Sequence, residues 1–151
     1  EVYPPLRRNE YRIEYNVRNF DLEEARRMIG ERPDLLSLEE MYKVAGPYEK
    51  GSVGYERAME TAARCYPDRP AVLNDRALAA LGRGDAAAAI GMLEACGLSE
   101  KHPSLLNTLG VAYARSGEVR KAEEAFRRAA GQGSDEARHN LEQLRLVIDQ
   151  L

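Results

Sequence analysis

The sequence predicts an all-α fold of stacked helical hairpins, and two observations lead to that prediction. Residues 103–130 form two stretches of helical apolar periodicity on either side of Gly117, a pattern typical of two short helices joined by a tight turn. The pattern recurs 33 positions earlier and, more weakly, one period of 34 before that. A hairpin that buries only one side needs neighbours of its own kind, so this period predicts a helical solenoid.

The equivalent positions of the last two hairpins share small or apolar residues. Pro70, Leu73, Gly84, Ala89, Leu93 and Cys96 correspond to Pro103, Leu106, Gly117, Ala122, Phe126 and Ala129. In the weaker copy the corresponding sites are Tyr42, Tyr55, Met59 and Ala62. Gly110 and Ala122 have almost no side chain, so we expect the two helices of the last hairpin to approach closely there. Tyr113 and Phe126 would then fill the space beside that contact.

The last hairpin resembles the tetratricopeptide repeat (TPR) family. The resemblance is carried by Leu106, Leu109-Gly110, Tyr113, Gly117, Ala122, Phe126 and Ala129, with Leu106 where the family prefers Trp. It covers roughly residues 37–150 and is most specific in the last hairpin. It implies a right-handed TPR-like helical-hairpin solenoid of about seven to eight helices. The first helix of each pair would line a concave surface that binds a protein or peptide.

Residues 1–20 have a different pattern from the rest of the chain. Pro4-Pro5 favours an extended backbone, and a period-two alternation of apolar and polar residues then predicts a β-strand at 9–19. A lone strand cannot satisfy its own backbone hydrogen-bonding groups. Either it is left over from the sheet of a preceding domain, or it pairs with another copy of the chain to form a homodimer.

The residues before this strand resemble the end of an OmpA-like domain, in which an Arg-Arg-x-Glu pattern is common in the last strand. Here the pattern runs from Leu6 to Glu10. With the segments YRIEYNVRNF and LSLEEMYKVA, the whole chain resembles a Bacteroidetes group of cell-envelope proteins. In these an OmpA-like domain precedes a C-terminal helical repeat region, and some are encoded near fimbrial components. The resemblance implies a periplasmic or outer-membrane-associated protein. The residues that contact peptidoglycan in an OmpA-like domain lie before its last strand, so none of them is assigned to this chain.

Capping and stop signals place the other helices. Asp21-x-x-Glu24 and Ser37-x-x-Glu40 are capping boxes, and Gly51 to Gly54 predicts a turn. The predicted helices lie at 21–30, 38–46, 55–65, 71–82 and 86–96, followed by the last hairpin and a final helix marked by Ala137, Leu141, Leu144 and Ile148. The predicted organisation is an extended segment and strand at 1–20, a connecting helix at 21–36, three TPR-like helix pairs at 37–133 and a capping helix at 134–151.

Composition limits the classes of function. The 151 residues carry a net charge of −3 with both signs mixed, which argues against general nucleic-acid binding. No apolar run approaches the ~20 residues that a membrane-spanning helix needs. The chain does not begin with Met and has no signal-peptide pattern, so we expect a processed protein or a piece of a longer one. Cys65 and Cys96 are expected to be small core residues, with a disulfide between neighbouring hairpins as the alternative.

No residue constellation predicts catalysis or a bound cofactor. His102 and His139 have no Cys or carboxylate at metal-ligand spacing, and the paired glutamates lie at positions typical of solvated helix faces. Arg83-Gly84-Asp85 spells an integrin-binding tripeptide, but the same residues suit a turn between helices, with Asp85 capping the second helix. We therefore expect a protein that is not an enzyme and needs no metal or cofactor.

The predicted concave face is the best candidate for a binding site. Its predicted exposed positions are Ala71, Asn74, Leu78 and Leu81 in one hairpin and Ser104, Asn107, Val111 and Ala114 in the next. A side-chain amide can both donate to and accept from a peptide backbone, so stacked amides suit an extended ligand. The partner-binding groove is therefore predicted at Asn74, Leu78, Leu81, Asn107 and Val111. The alternative is that both asparagines bond only within the solenoid.

These observations lead to one functional hypothesis and one alternative. The chain is expected to be a non-enzymatic protein-interaction scaffold that presents its concave face to a peptide or protein. In the alternative its role is structural, and it self-associates or packs against its own OmpA-like domain in envelope or fimbrial assembly.

Overall fold

The computed structural model of the chain describes residues 19–97 and 99–148, where every regular element is helical. Its eight α-helices are α1 (Leu22–Glu31), α2 (Leu38–Ala45), α3 (Val53–Cys65), α4 (Pro70–Gly82), α5 (Ala86–Ala95), α6 (Pro103–Arg115), α7 (Val119–Gly131) and α8 (Asp135–Ile148). Short 3-10 turns occur at Pro33–Leu35 and Ser99–Lys101. The predicted all-α class is confirmed. Of the strand predicted at 9–19, residues 9–18 lie outside the described residues.

Helices α1 and α2 begin at the predicted capping boxes. The Asp21 carboxylate accepts a hydrogen bond from the Glu24 amide at 2.8 Å, and the Glu24 side chain accepts one from the Asp21 amide. Ser37 and Glu40 make the same reciprocal pair at the start of α2. Each box satisfies backbone N–H groups that the first turn of a helix leaves without partners, which fixes where these helices start.

Helix α3 begins two residues earlier than predicted. The hydroxyl of Ser52 accepts a hydrogen bond from the Tyr55 amide, so Ser52 is the N-cap and the helix starts at Val53. Gly54, which the sequence places in a turn, lies inside the first turn of this helix. The Tyr48 ring occupies the space where a Gly54 side chain would be. This glycine is therefore explained by a close contact rather than by a turn.

The helices pack as successive hairpins. Helix α2 packs on α3, α4 on α5 and α6 on α7, while α4 also contacts α6, and α6 contacts α8. The turns that close the second and third hairpins share one geometry, because Gly84 and Gly117 each have φ of +83°. The Asp85 amide donates to the Ala80 carbonyl at 2.9 Å, and the Glu118 amide repeats this bond one period later. Glycine is favoured at both turns because a Cβ would strain this left-handed backbone.

Two clusters of buried side chains form the core. The larger extends from Leu73 in α4 to Leu141 in α8, and the smaller joins α1, α2 and α3. Cys96 packs on the larger cluster and Cys65 on the smaller. Both cysteines are only partly buried, and no disulfide joins them in the described part of the chain. None of the helices in that part is long and apolar enough to cross a membrane.

Helix α8 covers one end of the larger cluster. Ala137 and Leu141 are buried against it, and Leu144 packs beside them. The predicted wet face is confirmed, because Arg138, Glu142, Gln143 and Arg145 are all exposed. Ile148 was expected to continue the buried stripe, and that expectation is wrong. It lies beyond the last α8 contact with the core and is exposed together with its neighbours Leu146 and Val147.

A buried carboxylate, that of Glu40, holds the chain leading into α1 against α2. Glu40 is only 5% exposed and accepts hydrogen bonds from the Phe20 amide at 2.7 Å, the Ser37 amide at 2.8 Å and the Ser37 hydroxyl at 2.7 Å. Burial acts to raise the pKa of Glu40, but the hydrogen bonds from Ser37 and Phe20 outweigh it and hold that pKa below its ordinary value.

Glu40→Gln is expected to destabilise the protein by about 1–3 kcal/mol at neutral pH, because an amide replaces the acceptor of three hydrogen bonds. A folded-state pKa below the unfolded value means that this stability is present above the unfolded pKa and is lost as pH falls through the folded one. The variant should therefore lose less stability than wild type on acidification below about pH 4.5. Urea unfolding across this range tests both effects.

Glu39→Gln is the matched control, because Glu39 is the exposed neighbour and pairs with Lys43 at 3.0 Å. It should change stability by less than about 0.5 kcal/mol. Equal stability of the two variants would mean that the Glu40 hydrogen bonds contribute nothing.

Candidate functional site

The two asparagines predicted to line a groove make hydrogen bonds to another helix of the protein, Asn74 of α4 to α6 and Asn107 of α6 to α8. The Asn74 Oδ1 atom accepts a hydrogen bond from the Thr108 hydroxyl at 2.7 Å. One period later the Asn107 Oδ1 atom accepts one from the Asn140 Nδ2 atom at 2.9 Å. Both contacts cross between helices that lie side by side. The side-chain oxygens of both asparagines therefore accept hydrogen bonds from within the protein, as the alternative prediction for these residues expected.

Two of the five predicted groove residues are buried. Leu81 is 3% exposed and Asn107 is 8% exposed, so their expected exposure is wrong. Leu81 belongs to the larger core cluster, because the last turn of α4 faces inward where the chain reverses into α5. Val111 packs at the edge of that cluster and is partly buried. Leu78, with 47% of its surface exposed, is the most accessible apolar residue of the predicted set.

Further hydrogen bonds with the same spacing join α2 to α4 and α4 to α6. The Tyr42 hydroxyl of α2 donates to the Asp75 carboxylate of α4 at 2.5 Å. The Arg115 guanidinium of α6 donates to the Leu81 carbonyl of α4 at 2.7 Å. Each contact joins residues 33 or 34 positions apart. The sequence period is therefore also the spacing of specific polar contacts, which fix the positions of α2, α4, α6 and α8 against one another.

An open cleft of about 630 Å³ lies between α3 and α4, beside these contacts. We call it the α3–α4 cleft and define it by Lys50, Tyr55, Glu56, Asp75, Leu78 and Arg83. A neighbouring cavity of about 470 Å³ shares part of this lining and extends towards Met92 of α5. Leu78 is thus the only one of the predicted groove residues that lines this cleft.

The cleft combines fixed charges of both signs with an apolar side chain. Asp75 accepts the Tyr42 hydroxyl, and burial together with that carboxylate raises the pKa of Tyr42 well above its ordinary value. Burial and the same carboxylate also raise the pKa of Tyr55. Both phenols therefore stay neutral, and Asp75 and Glu56 supply the negative charge. Lys50 and Arg83 supply the positive charge from the two hairpin turns.

The Arg83-Gly84-Asp85 tripeptide has the predicted turn structure. Gly84 adopts the left-handed backbone, and the Asp85 carboxylate accepts a hydrogen bond from the Ala88 amide at 2.9 Å as the cap of α5. His102 precedes α6, and His139 is exposed on α8. Within residues 19–97 and 99–148, no group of three His, Cys, Asp or Glu side chains is placed to hold a metal ion.

Sequence reasoning missed most residues that line the cleft. Arg83 was considered only as part of a turn, and neither Asp75 nor Glu56 was predicted to bind a ligand. One signal pointed to Asp75, because the equivalent position in the next hairpin is the uncharged Thr108. No comparable signal marked Lys50, which lies in the turn before α3, and Tyr55 was recognised only as a repeat position.

No protein-family model matches this sequence, and no curated protein matches it either.

Proposed function

We propose that this chain is a non-enzymatic protein-interaction module that binds an extended peptide in the α3–α4 cleft. The observation that carries the proposal is the position of Leu78. This large apolar side chain is 47% exposed and lies in one cleft with two carboxylates and two cations. An exposed apolar anchor beside fixed polar groups is the usual composition of a peptide-binding site.

The proposed binding mode assigns a role to each side of the cleft. Leu78 packs against an apolar side chain of the peptide and excludes water from it. Asp75 accepts hydrogen bonds from peptide N–H groups, while Lys50 and Arg83 bind carbonyl or carboxylate oxygens. Because Asp75 is already held by Tyr42, little of its side-chain freedom remains to be lost on binding.

We also propose that the helical hairpins belong to a right-handed TPR-like solenoid and that the chain works in a bacterial envelope. The repeat spacing of 33 to 34 residues and the left-handed glycines of two successive hairpin turns support the first part. The resemblance of residues 6–20 to the end of an OmpA-like domain supports the second. On this proposal the module presents its cleft to a protein in the periplasm or at the outer membrane.

A phage-displayed dodecapeptide library panned on the full chain tests the cleft. Wild type should enrich peptides with an apolar residue, and Leu78→Asp should lose those peptides because a charge replaces the anchor. Leu78 is half-exposed, so the variant should still fold, as circular dichroism would verify. Val119→Asp is the control, since Val119 is an exposed apolar residue of α7, away from the cleft. Equal enrichment on both variants would contradict the proposal.

Self-association is the second candidate, and the exposed apolar end of α8 favours it. Leu146, Val147 and Ile148 are 55%, 58% and 38% exposed and adjoin one another. Light scattering of the full chain over a wide concentration range tests this candidate. A mass that rises with concentration and falls back in Leu146→Asp would support it, and a constant monomer mass would exclude it.

A further inference from the structure

A second groove lies on the other side of α3, where α3 and α1 flank α2. It has a volume of about 480 Å³, and we call it the α1–α3 groove. Its defining residues are Arg26, Ile29, Val44, Arg57, Glu60 and Arg64. Of these, only Glu60 and Arg64 also line the cavity next to the α3–α4 cleft. The two sites can therefore be altered independently through Arg26 and Arg57.

Positive charge is concentrated around the α1–α3 groove although the protein as a whole is acidic. Three arginines and one glutamate line it, while the chain has a net charge of −3. Arg26 is paired with Glu23 at 2.7 Å. In the described part of the chain, neither Arg57 nor Arg64 makes an ion pair. Guanidinium groups without a carboxylate partner offer planar, often bidentate, hydrogen bonding to an incoming carboxylate.

The floor of the groove distinguishes between classes of anionic ligand. Val44 is buried at its base, Ile29 is partly buried beside it, and Tyr48 is an exposed aromatic residue at its edge. A phosphate or a nucleic acid would leave the accessible surface of Ile29 and Tyr48 uncovered, and Glu60 would repel a dense polyanion. A peptide with carboxylates on both sides of an apolar residue would satisfy the arginines and cover the floor.

We propose that the α1–α3 groove binds an acidic segment of a partner protein, with an apolar side chain on the groove floor and flanking carboxylates on Arg26, Arg57 and Arg64. This inference goes beyond the proposed function, because it concerns a different surface and does not require the α3–α4 cleft to bind anything.

The test uses the full chain, a displayed dodecapeptide library and two variants of equal charge. The groove variant is Arg26→Gln with Arg57→Gln, which leaves the shared Arg64 in place. The control variant is Arg27→Gln with Arg120→Gln, two exposed arginines that do not line the groove. Peptides enriched on wild type are synthesised with a fluorescent label, and their binding is measured by fluorescence anisotropy at two salt concentrations.

We expect an enriched class of peptides with two or more carboxylates around an apolar residue. Their binding should weaken about tenfold in the groove variant and less than about twofold in the control. Replacing the carboxylates by amides should have the same effect as the groove variant. The absence of an acidic class, or equal weakening in both variants, would overturn the proposal. A change of molecular mass in the groove variant would also overturn the proposal, because it would show that the groove binds a second copy of the chain.

The result is separable from the test of the α3–α4 cleft. Peptides lost only with Leu78→Asp report on the cleft, and peptides lost only with the paired Arg26 and Arg57 substitutions report on the α1–α3 groove. Either site can therefore fail without the other.

Discussion

Gly110→Ala is expected to destabilise the protein by about 1–3 kcal/mol, although alanine is the better helix former. A Cβ built on Gly110 lies 2.6 Å from two atoms of the Phe126 ring, well inside van der Waals contact. That ring is 3% exposed and belongs to the larger core cluster, so it cannot move aside without disturbing its neighbours. Urea unfolding monitored by circular dichroism measures the loss.

Gly91→Ala is the matched control, because Gly91 also lies inside a helix but the added Cβ would meet no atom within 4 Å apart from its chain neighbours and its own helix backbone. It should stabilise the protein by up to about 1 kcal/mol through helix propensity alone. Combining Gly110→Ala with Phe126→Leu should cost less than the sum of the two single changes, by about 1 kcal/mol. Strict additivity, or a stabilising Gly110→Ala, would show that the helices do not pack as described.

Leu93→Ala should be among the most damaging single truncations, costing about 2–5 kcal/mol. Leu93 is fully buried in the larger cluster, where α5 packs on both α4 and α6. Its removal leaves a cavity that neighbouring helices cannot fill, because hydrogen bonds already fix the spacing of α4 and α6. The midpoint of urea unfolding should fall accordingly.

Leu78→Ala removes the same atoms from a half-exposed position and should change stability by less than about 0.5 kcal/mol. Similar costs for Leu78 and Leu93 would contradict the assignment of one side chain to the core and the other to the cleft surface. Should Leu93→Ala fail to fold, Leu93→Val is the milder variant, with an expected loss of about 1 kcal/mol.

The fold was largely predictable because its signals are local and repeated. Capping boxes located α1 and α2, and the spacing of Gly84 and Gly117 located two hairpin turns. The close approach at Gly110 was also predicted, but the side chain above it is the Phe126 ring rather than Ala122. Sequence pattern identifies small residues at a helix contact, whereas the partner on the other helix depends on their crossing angle.

The candidate site was less predictable because it depends on which hydrogen-bond partners the polar side chains find within the protein. Asn74 and Asn107 have the side chains and spacing that an extended ligand would need, yet both bond to the adjacent helix. The sequence left that alternative open, and only the three-dimensional distances distinguish the two. The α3–α4 cleft was missed because it joins two hairpins. Helical spacing puts Asp75, Leu78 and Arg83 on one face of α4 and its cap, but no spacing rule places Lys50 opposite that face.

The most direct test of the central claim is an NMR titration of the ¹⁵N-labelled full chain with the tightest-binding peptide whose enrichment Leu78→Asp abolishes. Binding in the α3–α4 cleft predicts that the largest amide shifts occur at Tyr55, Asp75, Leu78 and Arg83, with little change in α7. Shifts concentrated in α7 and α8, with the cleft amides unmoved, would contradict the claim and place the binding surface elsewhere on the molecule.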